Sequence, residues 1–342
     1  MKITKFYLVF CLIVFVGSTT IGCTFDERVV AKSFDSHFEG GFSFEQSGIR
    51  SSSISCYNSL FGEKSFASSS SMDLSKDSPN SNYPETINVE LSEADLIYSH
   101  DGFLTQGICS FENGFFISQR DASIPEDYHI YRIDLHDKMN ISSTVNTFNH
   151  ANGMAFNNLK NELYICKLSS SSNTTGCDRT CDYSFFVVDS LTFEIKQEID
   201  LFNVVKDVCP DCIGISGIAY NNKTKKCYIL SRRPKRYIVV LNEDFSYCDS
   251  FFICDDSEDI LFGDIASFDE FIITCYWNAK GQSLSNVITI YDLKWHLLKV
   301  VELYGVTHIE SIDMFDGRLI ANFNDFSNGN DTKVFAIDCL HN

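Results

Sequence analysis

One phrase recurs five times along this chain, and its spacing constrains the fold more than any other feature. It reads Gln106-Gly107-Ile108-Cys109, Asn152-Gly153-Met154-Ala155, Ser216-Gly217-Ile218-Ala219, Gly263-Asp264-Ile265-Ala266 and Glu310-Ser311-Ile312-Asp313, at steps of 46, 64, 47 and 47 residues. A turn follows, best marked at Asn157-Asn158 and Asn221-Asn222, and then an apolar run such as Phe115-Phe116-Ile117 or Leu163-Tyr164-Ile165, which makes a hairpin. A third phrase ends each unit's next strand in Asp or Asn: Asp134, Asp189, Asn242, Asp292 and Asp338. Such residues open a turn by accepting backbone hydrogen bonds. Fourth strands fit Val145–Phe148, Ile195–Ile199, Ser250–Ile253 and Leu298–Val301.

Four strands repeated at a period of roughly 50 residues describe an all-β fold, a β-propeller of five four-stranded blades. The alternatives, an open array of hairpins or a β-sandwich, do not explain the regular four-phrase units. A sixth blade would have to come from the Phe-containing stretch 34–66. The fifth unit reaches Asp338 without a fourth strand, and Ile87-Asn88-Val89-Glu90-Leu91 alternates like a strand with no partner of its own. This segment is expected to complete the last blade and close the ring, which hides an exposed edge.

Outside residues 86–342 the sequence changes character. Residues 1–22 carry Lys2 and Lys5, the apolar run Phe6–Val16 and then small residues, the pattern of a secretory signal peptide. Residues 23–85 are Ser-rich and read as a linker or stalk. The run before Cys23 resembles a lipobox with Thr20 where an aliphatic residue belongs, so a lipid anchor at Cys23 is the alternative to a freely secreted protein. No later stretch is long and apolar enough for a membrane-spanning helix. The formal charge of −19 is opposite in sign to what phosphate backbones attract, so nucleic acid is not an expected partner. An extracellular protein or glycan is, and the propeller is expected to be monomeric.

Fourteen cysteines in an exported chain point to disulfides. Cys177-x3-Cys181 and Cys209-x2-Cys212 are the candidate disulfide cysteines of a polar insert, with zinc the alternative if they were reduced. Asn140, Asn173, Asn222 and Asn330 each begin a glycosylation sequon. Arg232-Arg233-Pro234-Lys235-Arg236 is a basic cluster expected at a solvated hairpin tip, and Trp277 and Trp295 are candidates for sugar stacking or for filling the space between blades.

The phrase Asn152-Gly153-Met154-Ala155-Phe156-Asn157, followed by Glu162-Leu163-Tyr164-Ile165, resembles repeats of the NHL and gluconolactonase/regucalcin propellers. That resemblance implies a divalent metal held by Asn152. It also implies an Asp at the position of Ser216 and a Glu at that of Gln106. Thr105-Gln106-Gly107, Phe116-Ile117-Ser118-Gln119 and His150-Ala151-Asn152-Gly153 are similar to helveticin-type secreted propellers, which implies a binding platform.

Equivalent strand positions converge on the axis of a propeller. Gln106, Asn152 and Ser216 are therefore candidate ligand-binding residues at one mouth of the channel, and His150, Asp264, His308 and Glu310 candidate metal ligands. Imidazole and carboxylate together suit calcium, zinc or manganese, and oxygen-rich surroundings favour calcium. Without a metal, the same residues satisfy inner-strand backbone groups and channel water. No nucleophile elbow is present, since Gly214-Ile215-Ser216-Gly217 is one residue short. The sequence thus points to a secreted, disulfide-bonded binding module, with a metal-dependent hydrolase or lactonase as the alternative.

Overall fold

The computed structural model describes residues 84–123, 128–136, 140–142, 151–167, 183–232, 235–255, 260–278, 285–305, 308–326 and 330–339. They form five blades. Two strands come first, β1 (Glu85–Glu90) and β2 (Asp95–His100). Blade one is β3 (Phe103–Phe111), β4 (Gly114–Asp121), β5 (His129–Asp134) and β6 (Asn140–Ser142). Blade two is β7 (Met154–Asn157), β8 (Glu162–Cys166), β9 (Ser184–Asp189) and β10 (Ile195–Asp200). Helix α1 (Phe202–Val208) leads to blade three: β11 (Gly214–Asn221), β12 (Lys226–Arg232), β13 (Lys235–Leu241) and β14 (Tyr247–Asp255). Blade four is β15 (Ile260–Phe268), β16 (Phe271–Asn278), β17 (Ser285–Asp292) and β18 (Leu297–Tyr304); blade five begins with β19 (His308–Phe315), β20 (Arg318–Asp325) and β21 (Asp331–Ile337).

The burial pattern follows the position of each strand in its blade. Second strands are sandwiched between neighbouring blades, so β4, β8 and β12 are buried along almost their whole length and read as continuous apolar runs. Outer strands face water, and β10, with the sequence IKQEID, is exposed at nearly every position. The turn from third to fourth strand is held by the residue that ends the third. Asp189 Oδ1 accepts from the Leu191 and Thr192 N–H groups, and Asp292 Oδ1 from those of Lys294 and His296.

Three of these turns then place an aromatic residue at positive φ: Phe193 at 59°, Phe245 at 64° and Trp295 at 69°. Each ring wedges against the preceding blade. Phe193 meets Phe116, Phe245 meets Tyr164 and Phe185, and Trp295 meets Tyr228 and stacks on Phe251 at 4.8 Å. A left-handed backbone costs a bulky residue about 1–2 kcal/mol, and burying an aromatic ring contributes roughly 1.5–3, so the wedge is a net gain. Trp295 is therefore a packing residue between blades; Trp277 lies within β16.

The ring closes, but not with the strand expected. β2 pairs antiparallel with β21 and completes blade five, from Asp95 opposite Ala336 to His100 opposite Thr332. The segment Ile87–Leu91 instead supplies β1, which runs parallel to β18 as a fifth strand on blade four, with Ile87 opposite Val301 and Val89 opposite Leu303. Between them a 3-10 turn at Leu91–Glu93 buries Leu91 and carries the chain from one blade to the next. Two smaller expectations also change. The described fourth strand of blade one lies at Asn140–Ser142, and Val145–Phe148 falls outside the described residues. Arg236 of the basic cluster is buried, its guanidinium donating to Ser231 O at 2.9 Å rather than facing solvent.

The cysteines correct the composition reading most. Cys209 and Cys212 are bonded to each other, while Cys177 and Cys181 lie outside the described residues. Seven other described cysteines are thiols, and six of these are buried. Burial pushes the Cys109, Cys166 and Cys275 thiols far above the usual range, so they behave as small core hydrophobes. Thiol labelling should therefore reach Cys248, the exposed one, in the native protein, and at least seven cysteines after denaturation without reductant. Fewer than seven would show pairings that the fold does not contain.

Candidate functional site

The recurring phrase marks a bend in each inner strand. The ladder between first and second strands is interrupted between Thr105 and Ile108, Ile215 and Gly217, Phe262 and Ile265, and Ile309 and Ser311. In blade two the first strand begins only at Met154, just beyond the phrase's Asn152 and Gly153. A bulge re-aims one side chain out of the pleat. Four such bulges, with the Asn152-Gly153 entry to blade two, bring the backbones of Gln106, Asn152, Ser216, Gly263 and Glu310 around the axis.

The next position in the phrase is Gly107, Gly153, Gly217, Asp264 and Ser311, and it forms the tightest ring. A Cβ on Gly217 would stand 2.5 Å from Asp264 Oδ1, and one on Gly153 would stand 2.9 Å from it and 2.6 Å from Gly217 Cα. One on Gly107 would meet Ala151 O at 2.7 Å, and one on Gly263 would meet Glu310 O at 2.9 Å. The glycines thus clear the axis so that the Asp264 carboxyl can fill it. Asp264 Oδ2 accepts from Ser311 Oγ, which in turn accepts from the Ile108 N–H at 3.0 Å. Oδ1 lies beside the Ile218 and Ile265 N–H groups, which pull its pKa down without closing a well-shaped hydrogen bond. Burial outweighs them and holds Asp264 well above the carboxylate range, as a neutral acid.

Blade five is sewn to blade one by two asparagines. Asn324 accepts from the Thr105 N–H at 2.7 Å, and its amide donates to Thr105 O at 3.1 Å and to Glu310 Oε1 at 2.7 Å. Asn322 donates to Thr105 Oγ1 and Gln106 O, each at 2.8 Å. Glu310 keeps some solvent contact at the mouth, yet the surrounding protein pushes its pKa up to about 8, against the Asn324 bond, which favours the anion. Arg120 donates to the Tyr128 hydroxyl at 3.2 Å, and that hydroxyl interacts in turn with Gln106 and Glu310. His308 is half-buried, its pKa lowered by burial, and sits edge-on to Phe326 at 5.2 Å. Several buried polar atoms of the recurring phrase and the second strands find no hydrogen-bond partner: Asn152 Oδ1, Ser216 Oγ, Gln119 Nε2 and Asn322 Oδ1.

The structure therefore brings together Gln106, Asn152, Ser216, Asp264 and Glu310; His150 lies outside the described residues. Among the described residues no three of His, Cys, Asp and Glu gather as a metal site. Ser216 stands where the resemblance requires Asp, Asp264 is sealed in by Ser311 and glycine, and Glu310 is turned to Asn324. Of the expected metal ligands, Asp264, His308 and Glu310 do not gather among the described residues, and His150 lies outside them. Of the sequons, Asn222 uses its amide to bridge blades two and three, donating to Phe156 O. Asn330 is half-buried in the turn before β21, Asn140 lies in the backbone of β6, and Asn173 is outside the described residues. The residues missed from sequence are Thr105, Ser311, Asn322 and Asn324. The doublet Asn322-x-Asn324 is a signal visible only in blade five, with no counterpart in the other units.

Glu310 sets a pH dependence. Its folded pKa is raised above the usual 4.5, so its contribution is fully present below about pH 4.5 and is lost as pH rises towards 8. Asp264 acts in the same direction, and His308, with a lowered pKa, has its effect below pH 6.5. Each pH unit between the two Glu310 values costs about 1.4 kcal/mol, so about 2 kcal/mol goes between pH 6.5 and 8. The melting temperature should fall by roughly 5 °C over that interval, and Glu310→Gln, which still accepts from Asn324, should flatten the slope. An unchanged slope in the variant would remove Glu310 as its source.

No protein-family model and no curated protein matches this sequence. Among solved structures, a tail fibre of Staphylococcus aureus phage P68 aligns at TM-score 0.49 and 11% identity, over 71% of this chain and 52% of that one. The nidogen/laminin complex aligns at 0.41 and 12%, over 68% and 80%, and Kuenenia stuttgartiensis hydrazine synthase at 0.40 and 14%, over 68% and 77%. Such scores carry no argument about function. What the chain's own strand pairing shows is a five-bladed β-propeller.

Proposed function

We propose that this chain is an exported binding module whose axial mouth holds the end of a neutral, hydroxyl-rich ligand, a glycan. The observation that supports this reading is the bulge ring. It carries amides at Gln106 and Asn152, a hydroxyl at Ser216 and an un-ionised acid at Glu310; Asn152 and Glu310 are partly exposed, while Asn152 Oδ1 and Ser216 Oγ are buried and unsatisfied by protein. Neutral donors and acceptors in a ring suit hydroxyl groups better than a metal cation or a phosphate. At the same end Phe326 leaves 45% of its surface exposed, a ring on which a sugar could stack. The signal-like segment 1–22 supports export, and the absence of a long apolar helix among the described residues is compatible with it.

Glycan-array binding followed by calorimetry tests the reading. Wild-type protein should retain neutral oligosaccharides, and Asn152→Leu and Phe326→Ala should each weaken them about tenfold without shifting the melting temperature by more than a few degrees. Binding that survives both changes would displace the ligand from this mouth, and retention of a protein partner instead would replace the glycan.

A further inference from the structure

The opposite end of the channel carries a second cavity, of about 680 Å³, where the turns between first and second strands come together. That volume is in the range of small-molecule sites. Its walls are mixed, with Phe116, Phe156, Met154 and Met314 beside Asn158 and Asn222, and three exposed apolar side chains also line it: Leu159 at 64%, Leu191 at 66% and Phe268 at 38%. Exposed apolar residues clustered around a concavity are not the scattered surface hydrophobes of an ordinary fold.

One acid reaches this cavity from near the axis. Asp313 Oδ2 accepts from both the N–H and the Oγ of Ser110, each at 2.6 Å, which joins blade five to blade one and fixes the carboxyl's position. Among the described residues no cation pairs with Asp313. Arg132 lines the same cavity, but its guanidinium lies over the Phe111 ring at 4.7 Å and near that of Phe116 at 6.0 Å. Glu112 and Asp316 also line it, so three acids stand against one base. A carboxyl fixed by neutral donors, set between apolar and polar walls and lining a cavity with three acids and one base, lacks a counter-ion.

We propose that this cavity binds an organic ammonium ion with an aryl or alkyl body, the ammonium directed at Asp313 and the body against the apolar part of the lining, Phe116, Phe156, Met154 and Met314. The site is separate from the axial mouth and does not depend on the glycan reading. An apolar body alone would leave the excess negative charge of the lining unmatched, and a small inorganic cation would leave Phe116, Phe156 and Met314 uncovered, so the class that satisfies both is amphipathic. The wall aromatics add attraction for a cation above their faces.

Calorimetry with 2-phenylethylammonium, and with 2-phenylethanol as a neutral control of similar size, tests the proposal on the full-length protein. The ammonium should bind at least about tenfold more tightly than the alcohol. Asp313→Asn, which keeps an acceptor for Ser110, should remove that preference. Leu191→Arg, on a side chain exposed enough not to disturb folding, should weaken the ammonium selectively by adding positive charge to the lining. Equal binding of the two probes, no binding of the ammonium, or a preference untouched by both variants would each overturn the proposal.

Discussion

Gly217→Ala should destabilise the fold strongly, although it adds a single methyl group. Its Cβ would stand 2.5 Å from Asp264 Oδ1 and 3.1 Å from both the backbone nitrogen and the Cγ2 of Ile265, in a ring already closed by five strands. Overpacking ordinarily costs about 1–3 kcal/mol because side chains shift away, and here the neighbours have nowhere to go. The expected loss is at the top of that range, about 3 kcal/mol, with most of the protein insoluble on expression. The decisive measurement is the double variant. Asp264→Ala removes the offending oxygen, so Gly217→Ala should cost much less in that background than alone. Equal cost in both backgrounds would show that the carboxyl does not fill the axis as described.

The second large effect concerns closure. A chain beginning at Leu91 lacks β1 but keeps the buried Leu91 and all of β2, and should fold, since the four other blades manage with four strands. A chain beginning at Asp101 lacks β2, leaving the edge of β21 unpaired, and should aggregate. Size-exclusion chromatography of the two truncations separates the cases. A monomeric second truncation would mean that β21 tolerates an open edge, and an aggregated first one would make β1 part of the closure.

The strands themselves account for the misplaced closure. Ile87 and Val89 alternate with polar residues because β1 lies with one face on the core of blades four and five, and that alternation is visible without a structure. Asp95-Leu96-Ile97-Tyr98-Ser99-His100 carries no such signal, because its register slips between Leu96 and Tyr98 and leaves Leu96 52% exposed. The periodic phrases revealed the blades, since every unit repeats the same backbone problem. They also pointed to the mouth residues, though not to the bulges that aim them, because a bulge is a relation between two strands. The register offset of Asp264 was visible in the phrase itself; that it replaces a glycine at the axis became visible only with its neighbours in place. The second cavity was hidden within the phrase: Ala155, Ala219, Ala266 and Asp313 hold its last position and all line the cavity, but only the acid at Asp313 departs from the small residues of the other units.

The pairing of β2 with β21 also has a consequence for biosynthesis. Gly102, beside β2, donates to Asp331, at the start of β21, across 229 positions of sequence, and Thr332 reaches back to Phe103 over the same distance. A nascent chain exposes β2 early in translation and must keep it unpaired until β21 has left the ribosome. Blades one to four can form as they emerge, since each is built from a local run of sequence, but the ring stays open until the end. Emergence of β21, rather than the formation of any earlier blade, then becomes the moment at which this protein acquires its two channel ends together.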